Sequence, residues 1–244
     1  MLREARLSPK EQEALNRSLR VSKRKPSIKN ISARDQAQPP PYAILPLLSY
    51  LPKDWIIWDS AASKQGFLGA ALTALNGNIV IESGLLLDGA DFLKIPPKLT
   101  AQIQVSSPPP SQRYEWIERS YDNRQPFALL MPFNTWAAGE AQAMFQRFGM
   151  SIIVLNSPIT FLLSKSNWSS RTGHMAWFTW GLPNLKELVT YGHIPLVKNL
   201  PKWMVSPAHK REITAGGKSM QDRLAIRHAT HPQQWPVPKG GGSR

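Results

Sequence analysis

The sequence predicts an α/β protein, a three-layer sandwich, with basic extensions at its two ends. Strand-like and helix-like segments alternate through the middle of the chain, which is typical of βα units built on a parallel sheet. The segment 127–132 is apolar throughout, as expected of a central strand covered on both faces. The net charge of +14 is concentrated outside this middle region.

The uneven charge defines three regions. Residues 1–38 carry ten Lys/Arg against four acids, residues 39–182 ten against nine, and residues 183–244 ten against three. We therefore predict a largely flexible basic N-terminal arm, an α/β domain over 39–182, and a basic C-terminal extension with a disordered tail. Basic arms most commonly bind a phosphate backbone. The alternative is that they are solvated tails that aid solubility.

Several classes of protein are disfavoured by what the sequence lacks. Without cysteine, the chain has no disulfide framework, thiolate metal site or thiol nucleophile. No apolar stretch reaches 18 residues and the N-terminus lacks an apolar signal core, so neither a membrane span nor secretion is expected. His228 and His231 have no acidic partner at ligand spacing, so no metal site is predicted. A cytoplasmic location is expected.

The predicted elements follow from hydrophobic periodicity and turn residues. Helices are expected at 42–51, 66–75, 113–123 and 139–148, and strands at 55–59, 79–82, 101–105, 127–132 and 151–155. Residues 159–162 and 174–180 are expected to form a final antiparallel pair. Beyond residue 182 the periodicity fades.

Two loops are expected at the carboxyl ends of neighbouring strands, where open parallel sheets bind ligands. The first, 59–66, is rich in small residues, which allow the backbone to approach a ligand closely. A βα turn that binds nothing would have much the same composition.

The second loop, 106–110, contains Ser107-Pro108-Pro109. A side-chain oxygen is followed there by backbone carbonyls, and the prolines offer no N–H to satisfy them. Such a row of acceptors suits an exocyclic amine, which donates hydrogen bonds. The alternative is a proline-rich loop that only turns the chain.

Taken in order, these segments resemble the S-adenosylmethionine-dependent methyltransferases, and most closely the phage-type DNA adenine-N6 methyltransferases. The matching segments are 38–45, 58–65, Asp91-Phe92-Leu93, 107–110, 128–132 and 176–180. The resemblance covers about 38–182 and leaves both basic extensions unexplained. It implies a Rossmann-like three-layer sandwich of the class I methyltransferase type, S-adenosylmethionine as cofactor, DNA more than RNA as partner, and a phage or mobile-element origin.

The resemblance also implies a cofactor site. Its residues would be Tyr42, Asp59, Ala61, Ser63, Gly66, Glu82, Asp91 and Phe92. Asp59 and the 61–66 backbone would face the methionine part of the cofactor. Glu82 would accept hydrogen bonds from the ribose hydroxyls, and Asp91 with Phe92 would hold the adenine.

A catalytic site is implied at the second loop. Ser107 and the carbonyl of Pro108, with Pro109 beside them, would accept hydrogen bonds from the N6 amine of a base flipped out of the duplex. Pro110 stands where the family has the aromatic residue on which that base stacks. Tyr114 or Trp116 would then substitute for it.

Other departures from the family pattern leave the function open. Ser60 replaces a proline, and Ser63 and Gln65 replace glycines that let the backbone approach the cofactor. The first hypothesis is an active DNA adenine-N6 methyltransferase. The second is a catalytically inactive methyltransferase-like protein that binds nucleic acid, and the third is a basic structural protein with an unrelated α/β core. The first two require the two loops to meet.

Overall fold

The computed structural model describes residues 35, 37–62, 67–84, 90–161, 174–195, 199–200 and 204. The predicted arm up to residue 34, the predicted cofactor residues Ser63 and Gly66, and the segment after residue 204 lie outside the described residues.

Seven strands and three α-helices lie wholly within the described residues. In chain order they are β1 (Ile57–Asp59), α1 (Phe67–Asn76), β2 (Val80–Glu82), β3 (Ile103–Ser106), α2 (Arg113–Asp122), β4 (Phe127–Pro132), α3 (Gly139–Phe148), β5 (Ser151–Leu155), β6 (Met175–Trp180) and β7 (Val189–Gly192). Three 3-10 helices accompany them, at Pro41–Tyr50, Pro110–Gln112 and Phe133–Ala137. From β1 to β5, each strand and α-helix begins and ends within two residues of its predicted bounds.

The strands form one seven-stranded sheet in the order β2-β1-β3-β4-β6-β5-β7. All neighbours are parallel except β6, which runs antiparallel to both β4 and β5. From β1 the chain passes through α1 to β2 on one side, and it then returns to place β3 on the other side of β1. The strand order therefore reverses between β1 and β3, at the kind of position where open α/β sheets bind ligands.

Helices cover both faces of the sheet. One face packs against the 3-10 helix Pro41–Tyr50 and α1, through residues such as Ile44 and Leu72. The other face packs against α2 and α3, through residues such as Ile117 and Phe145. The predicted three-layer α/β sandwich of Rossmann-like type is confirmed by this arrangement.

Strand β4 has the central position that its composition predicts. Phe127, Leu129 and Met131 face α2 and α3, whereas Ala128 and Leu130 face the other layer. Because side chains alternate between the faces of a strand, a strand covered on both sides must be apolar at every position.

The helix predicted over 42–51 is a 3-10 helix, Pro41–Tyr50. Pro46 lies inside it, has no N–H to donate, and would bring its ring against the carbonyl four residues earlier in an α-helix. Ten residues is long for a 3-10 helix, and burial of its first seven residues against the sheet holds it in place.

The prediction that 159–162 and 174–180 form an antiparallel pair is wrong. Strand β6 pairs instead with β4, from Phe127 opposite Trp180 to Pro132 opposite Met175, and with β5. Residues 159–161 form no strand, and Ile159 and Phe161 are buried as core contacts. The apolar composition of β6 reflects its two strand neighbours, which lie far from it along the chain.

Strand β7 lies in the segment where the sequence shows no periodicity. It pairs parallel to β5 at the edge of the sheet, and Val189 and Tyr191 are exposed there. Leu185, Ile194, Leu200 and Met204 are buried in the same core as the 3-10 helix. The packed structure therefore continues into the segment assigned to the C-terminal extension, while the domain boundaries themselves stay a prediction.

Candidate functional site

The carboxyl ends of β1 and β3 lie side by side. Trp58 is opposite Gln104 in the parallel register, so the end of β1 lies beside Ser106. The backbone N–H of Ser60 donates to Ser106 Oγ at 2.8 Å, and the Ser106 hydroxyl donates to Asp59 Oδ1 at 3.1 Å. These bonds join the two predicted loops at the point where the strand order reverses. We call residues 59–62 and 106–110 the loop junction.

Asp59 is the ionisable residue at the centre of the loop junction. Its side chain is almost fully buried, and this burial raises the pKa of Asp59 to about 7. Hydrogen bonds from the Ala61 N–H, at 3.2 Å, and from Ser106 lower that pKa in part, whereas the charge of Glu82 raises it further. A cation placed beside Asp59 would favour its charged form, and strongly shifted carboxyl groups are common at functional sites.

A buried hydrogen-bond chain continues from the loop junction into the protein. Gln104 Nε2 donates to Ser60 Oγ at 2.8 Å, and the Ser120 hydroxyl donates to Gln104 Oε1 at 3.0 Å. Ser60 Oγ and Ser106 Oγ are 2.8 Å apart. The sequence analysis missed this chain, although Gln104 inside an otherwise apolar strand was a signal, because a buried amide needs polar partners.

The second loop has acceptor atoms that are not fully hydrogen-bonded, although Pro108 itself is buried. The Ser107 hydroxyl donates to the Leu130 carbonyl at 3.4 Å, which leaves the lone pairs of its oxygen to accept. The Pro109 carbonyl accepts from Gln112 N–H at 3.0 Å, and the Pro110 carbonyl accepts from the Arg113 guanidinium at 3.3 Å. Among the described residues, nothing donates to the Pro108 carbonyl.

Glu82 lies at the end of β2, opposite Asp59 in the parallel register. Its side chain is exposed and reaches over α1, where a Cβ added to Gly69 would come within 2.7 Å of Glu82 Oε1. Glu82 is therefore held next to the loop junction by the close packing of α1 on β2.

Asp91 and Phe92 begin a turn before β3. The Asp91 carboxylate accepts from the Leu93 N–H at 3.1 Å and forms an ion pair with Lys94 at 2.6 Å. The Phe92 ring is buried, stacks on Trp116 with ring centroids 4.0 Å apart, and lies 5.5 Å from the Trp58 ring. Phe92 and Trp116 thus belong to one interior aromatic cluster.

The remaining predicted residues differ in accessibility. Tyr114 is half-buried and its hydroxyl accepts from the Arg113 guanidinium at 2.8 Å, while Pro110 is exposed. Tyr42 is in the core, where its hydroxyl accepts from the Thr160 N–H at 3.3 Å and burial raises its pKa. The structure therefore brings together Asp59, Ala61 and the second loop, and it buries the Tyr42 side chain in the core.

The segment before the 3-10 helix reaches the second loop. Asp35 Oδ1 accepts from the Ser111 N–H at 3.0 Å, and both Asp35 and Gln38 are buried. The sequence analysis did not predict this contact. It fixes the end of the predicted N-terminal arm beside the acceptor residues.

Three buried polar atoms near the carboxyl edge of the sheet have no partner within the described residues. They are Gln112 Nε2 and Arg113 Nε, after β3, and Thr135 Oγ1, after β4. An unpaired buried polar atom costs about 1–3 kcal/mol. Hydrogen bonds to a bound ligand would remove that cost wherever the ligand reaches these atoms.

Searches for other kinds of site give no candidate in the part of the chain that the structure describes. No described helix is long and apolar enough to cross a membrane. No described group of three or more His, Cys, Asp or Glu side chains is arranged to hold a metal ion.

Comparisons with known proteins add little to this geometry. No family model matches the chain, and no curated protein matches it. Among solved structures, a proposed class I S-adenosylmethionine-dependent methyltransferase from Listeria monocytogenes is 15% identical, with 88% of this chain and 77% of that chain covered and a TM-score of 0.41. A predicted O-methyltransferase from Agrobacterium tumefaciens is 14% identical, with 61% and 85% covered and a TM-score of 0.35. At these TM-scores the matches carry no argument about the fold or the substrate of this chain.

Proposed function

We propose that this protein is an S-adenosylmethionine-dependent methyltransferase that transfers a methyl group to the N6 amine of adenine in DNA. The observation that carries the proposal is the loop junction, where Ser60 and Asp59 are hydrogen-bonded to Ser106. The loop proposed to hold the cofactor and the loop proposed to hold the amine therefore meet at one edge of the sheet. That edge lies at the strand-order reversal, where this type of sheet binds ligands.

On the cofactor side, Asp59 would face the cationic methionine part of S-adenosylmethionine, together with Ala61, Ser63 and Gly66. The Asp59 carboxyl group is buried, and the approach of a positive charge would favour its ionised form. Glu82 would accept hydrogen bonds from the ribose hydroxyls, since its exposed carboxylate lies at the end of the adjacent strand.

Asp91 is proposed to hold the cofactor adenine. Its ion pair with Lys94 is no obstacle, because the Lys94 side chain is 81% exposed and such surface pairs contribute little. The Phe92 ring would support this turn from the interior, through its stacking on Trp116. The Tyr42 side chain is buried, so it would support the cofactor site by its packing in the core and not by touching the cofactor.

On the amine side, Ser107 Oγ and the Pro108 carbonyl would accept hydrogen bonds from the two N–H groups of the N6 amine. Both oxygens have acceptor capacity left, as their hydrogen bonds indicate. When bound, S-adenosylmethionine would supply the methyl group, and these two acceptors would hold the amine nitrogen toward it. The excess proton on nitrogen would pass to water. Much of the rate gain would come from holding amine and methyl in line.

The target base would be bound by Pro110 and by an aromatic ring. Of the two candidates, Tyr114 is half-buried, whereas Trp116 is 4% exposed and stacked on Phe92. Tyr114 is therefore the better candidate for stacking on a flipped base. Stacking of this kind contributes about 1–3 kcal/mol per base.

Titration calorimetry of the full chain with S-adenosylmethionine tests the cofactor proposal. We expect binding that tightens as the pH rises through about 7, because Asp59 ionises in that range. Absence of binding across this pH range would contradict the proposal and would favour an unrelated α/β core.

Methyl transfer from labelled S-adenosylmethionine to unmethylated DNA tests the amine site. Ser107→Ala is expected to lower the rate roughly tenfold to a hundredfold, which corresponds to the loss of about 1.5–3 kcal/mol of hydrogen bonding to a developing charge. Ser111→Ala is the matched control, because it makes the same change four residues further along, in the 3-10 helix Pro110–Gln112, and keeps the backbone bond to Asp35. Equal rates in the two variants would remove Ser107 from the site.

The second candidate function is a catalytically inactive methyltransferase-like protein that binds nucleic acid. It is favoured by the exposed Pro110, which stands where the resembled family has a stacking aromatic residue. Cofactor binding without any methyl transfer to DNA would support this second function over the first.

A further inference from the structure

The hydrogen bonds around the loop junction point in one direction. The Ser106 hydroxyl has one hydrogen, and it is donated to Asp59 Oδ1. In the 2.8 Å contact between Ser60 Oγ and Ser106 Oγ, Ser60 must therefore be the donor. The bond from Ser60 N–H also ends on Ser106. Because Ser106 Oγ accepts these two hydrogen bonds from Ser60, its own hydroxyl is a stronger donor to Asp59.

The same logic fixes the amide of Gln104. Because Ser60 uses its hydrogen on Ser106, its oxygen must accept, and Gln104 Nε2 donates to it at 2.8 Å. The other end of the amide, Oε1, then accepts from the Ser120 hydroxyl at 3.0 Å. Every bond from α2 to β1 is thus oriented toward the Asp59 carboxylate.

This arrangement is costly unless it serves the site. Gln104 is 1% exposed on a strand whose neighbours along the chain, Ile103 and Val105, are apolar core residues. Replacing a buried polar network by apolar side chains of similar volume is often neutral or stabilising. The position of a glutamine that is hydrogen-bonded at both ends of its amide is therefore explained by what it does to the side chains beyond it.

We propose that Gln104 is a positioning residue: through Ser60 and Ser106 it holds the Asp59 carboxylate in place and keeps it ready to receive a cationic group of a ligand. The inference rests on the proposed function for the identity of that ligand, S-adenosylmethionine. Gln104 touches neither Asp59 nor the ligand in this role, since its amide bonds only to Ser60 and Ser120.

The charged surroundings of Asp59 are simple enough for a direct test. Glu82, on β2, is the titratable group whose charge acts on Asp59. The described parts of β3 and α1 contain no titratable side chain. A change in the ionisation of Asp59 caused by substitution of Gln104 would therefore come through the hydrogen-bond chain.

The test is an NMR titration of the Asp59 carboxyl carbon in the full chain. In Gln104→Leu the titration midpoint is expected to rise by roughly half a unit to one unit of pH. The reason is that the hydrogen-bond chain that stabilises the charged form of Asp59 loses the bond from Gln104 to Ser60. Ser120→Ala removes only the last donor and should raise the midpoint less. If Gln104→Leu does not fold, Ser120→Ala decides the question alone.

Thr179→Val is the matched control. Thr179 is fully buried on β6, and its hydroxyl donates to the Ser151 carbonyl at 3.1 Å, away from the chain that leads to Asp59. The control loses a buried hydrogen bond and should leave the Asp59 midpoint unchanged. An Asp59 midpoint that is the same in the wild type and both network variants would overturn the proposal.

Cofactor binding separates this inference from the proposed function. In Gln104→Leu, the pH at which S-adenosylmethionine binding tightens should rise together with the Asp59 midpoint. If no variant binds S-adenosylmethionine but the midpoint still shifts, the proposed function fails and the role of Gln104 stands. If the cofactor binds with an unchanged pH profile and the midpoint is fixed, Gln104 has no positioning role.

Discussion

Among single residues, Asp59 is one whose ionisation the fold changes strongly. An aspartate ionises near 3.8 when exposed, and burial raises the pKa of Asp59 to about 7. Between those two values the folded protein binds a proton that the unfolded chain does not. The contribution of Asp59 to the free energy of unfolding therefore falls as the pH rises.

The stability contribution of Asp59 should be greatest below pH 4, fall between about pH 4 and 7, and be level above pH 7. The total fall is expected to be roughly 4 kcal/mol, at about 1.4 kcal/mol for each unit of pKa change. Urea unfolding at a series of pH values measures it as the difference between the wild type and Asp59→Asn, which cannot titrate. Parallel stability curves for the two proteins would contradict the raised pKa.

At this scale the sequence predicted some residues of the loop junction and missed the side chains behind it for a physical reason. Asp59 and Ser107 were recognisable because they lie where strands end, next to small or rigid residues, and their role in a site stays a prediction. Gln104 and Ser120 were not, since their contact joins residues 16 positions apart across a sheet and a helix. The burial of Trp116 was equally hidden, because the sequence does not reveal that Phe92 covers its ring.

Among the elements, the packing of α1 on β2 bears directly on the site. A Cβ on Gly69 would lie 2.7 Å from Glu82 Oε1 and 3.1 Å from Val80 Cγ1. The first contact is with the end of a flexible side chain, so Glu82 would move away rather than the helix. The absence of a side chain at this one helical position sets the place of the Glu82 carboxylate.

Gly69→Ala is therefore expected to weaken S-adenosylmethionine binding by displacing Glu82, while changing stability little. The gain in helix propensity, about 1 kcal/mol, offsets the cost of the tighter contacts. Calorimetry and urea unfolding measure the two effects. Gly139→Ala is the control, because an added Cβ there meets nothing within 4 Å. If Gly69→Ala binds the cofactor as the wild type does, Glu82 has no part in the site.

Elements with strong local patterns were predictable, and those defined by distant contacts were not. Strand β4 and helix α3 have the bounds that their own residues predict. The partners of β6 depend on which strands are nearest in space, and β7 is a short edge strand with two exposed apolar side chains. Such an edge strand carries no period in its sequence.

For the whole molecule, the C-terminal limit of the packed structure can be tested by truncation. A variant that ends at residue 204 keeps the buried Leu200 and Met204 and should melt at a higher temperature than a shorter one. A variant that ends at residue 182 loses β7 and the core contacts of Leu185 and Ile194, and it should melt at a much lower temperature. Equal melting temperatures would contradict a structural role for β7.

The basic extensions are expected to supply affinity for DNA. A variant that lacks residues 1–34 and 205–244 keeps the described core and should lose most DNA binding, together with most of its salt dependence. Fluorescence anisotropy with a labelled duplex at several salt concentrations measures both. A truncated protein that binds as tightly as the full chain would contradict the role proposed for the extensions.

The hydrogen bond between Asp35 and Ser111 affects how the protein would find a target base on a long substrate. All ten Lys/Arg residues of the N-terminal region precede Asp35, so every one of them is tethered at a point beside the acceptor residues. A polyanion bound by the predicted flexible arm would stay within a few tens of ångströms of the second loop, which would raise its effective concentration there. Moving the same ten charges to the other terminus would preserve the protein's total attraction for DNA and discard that proximity.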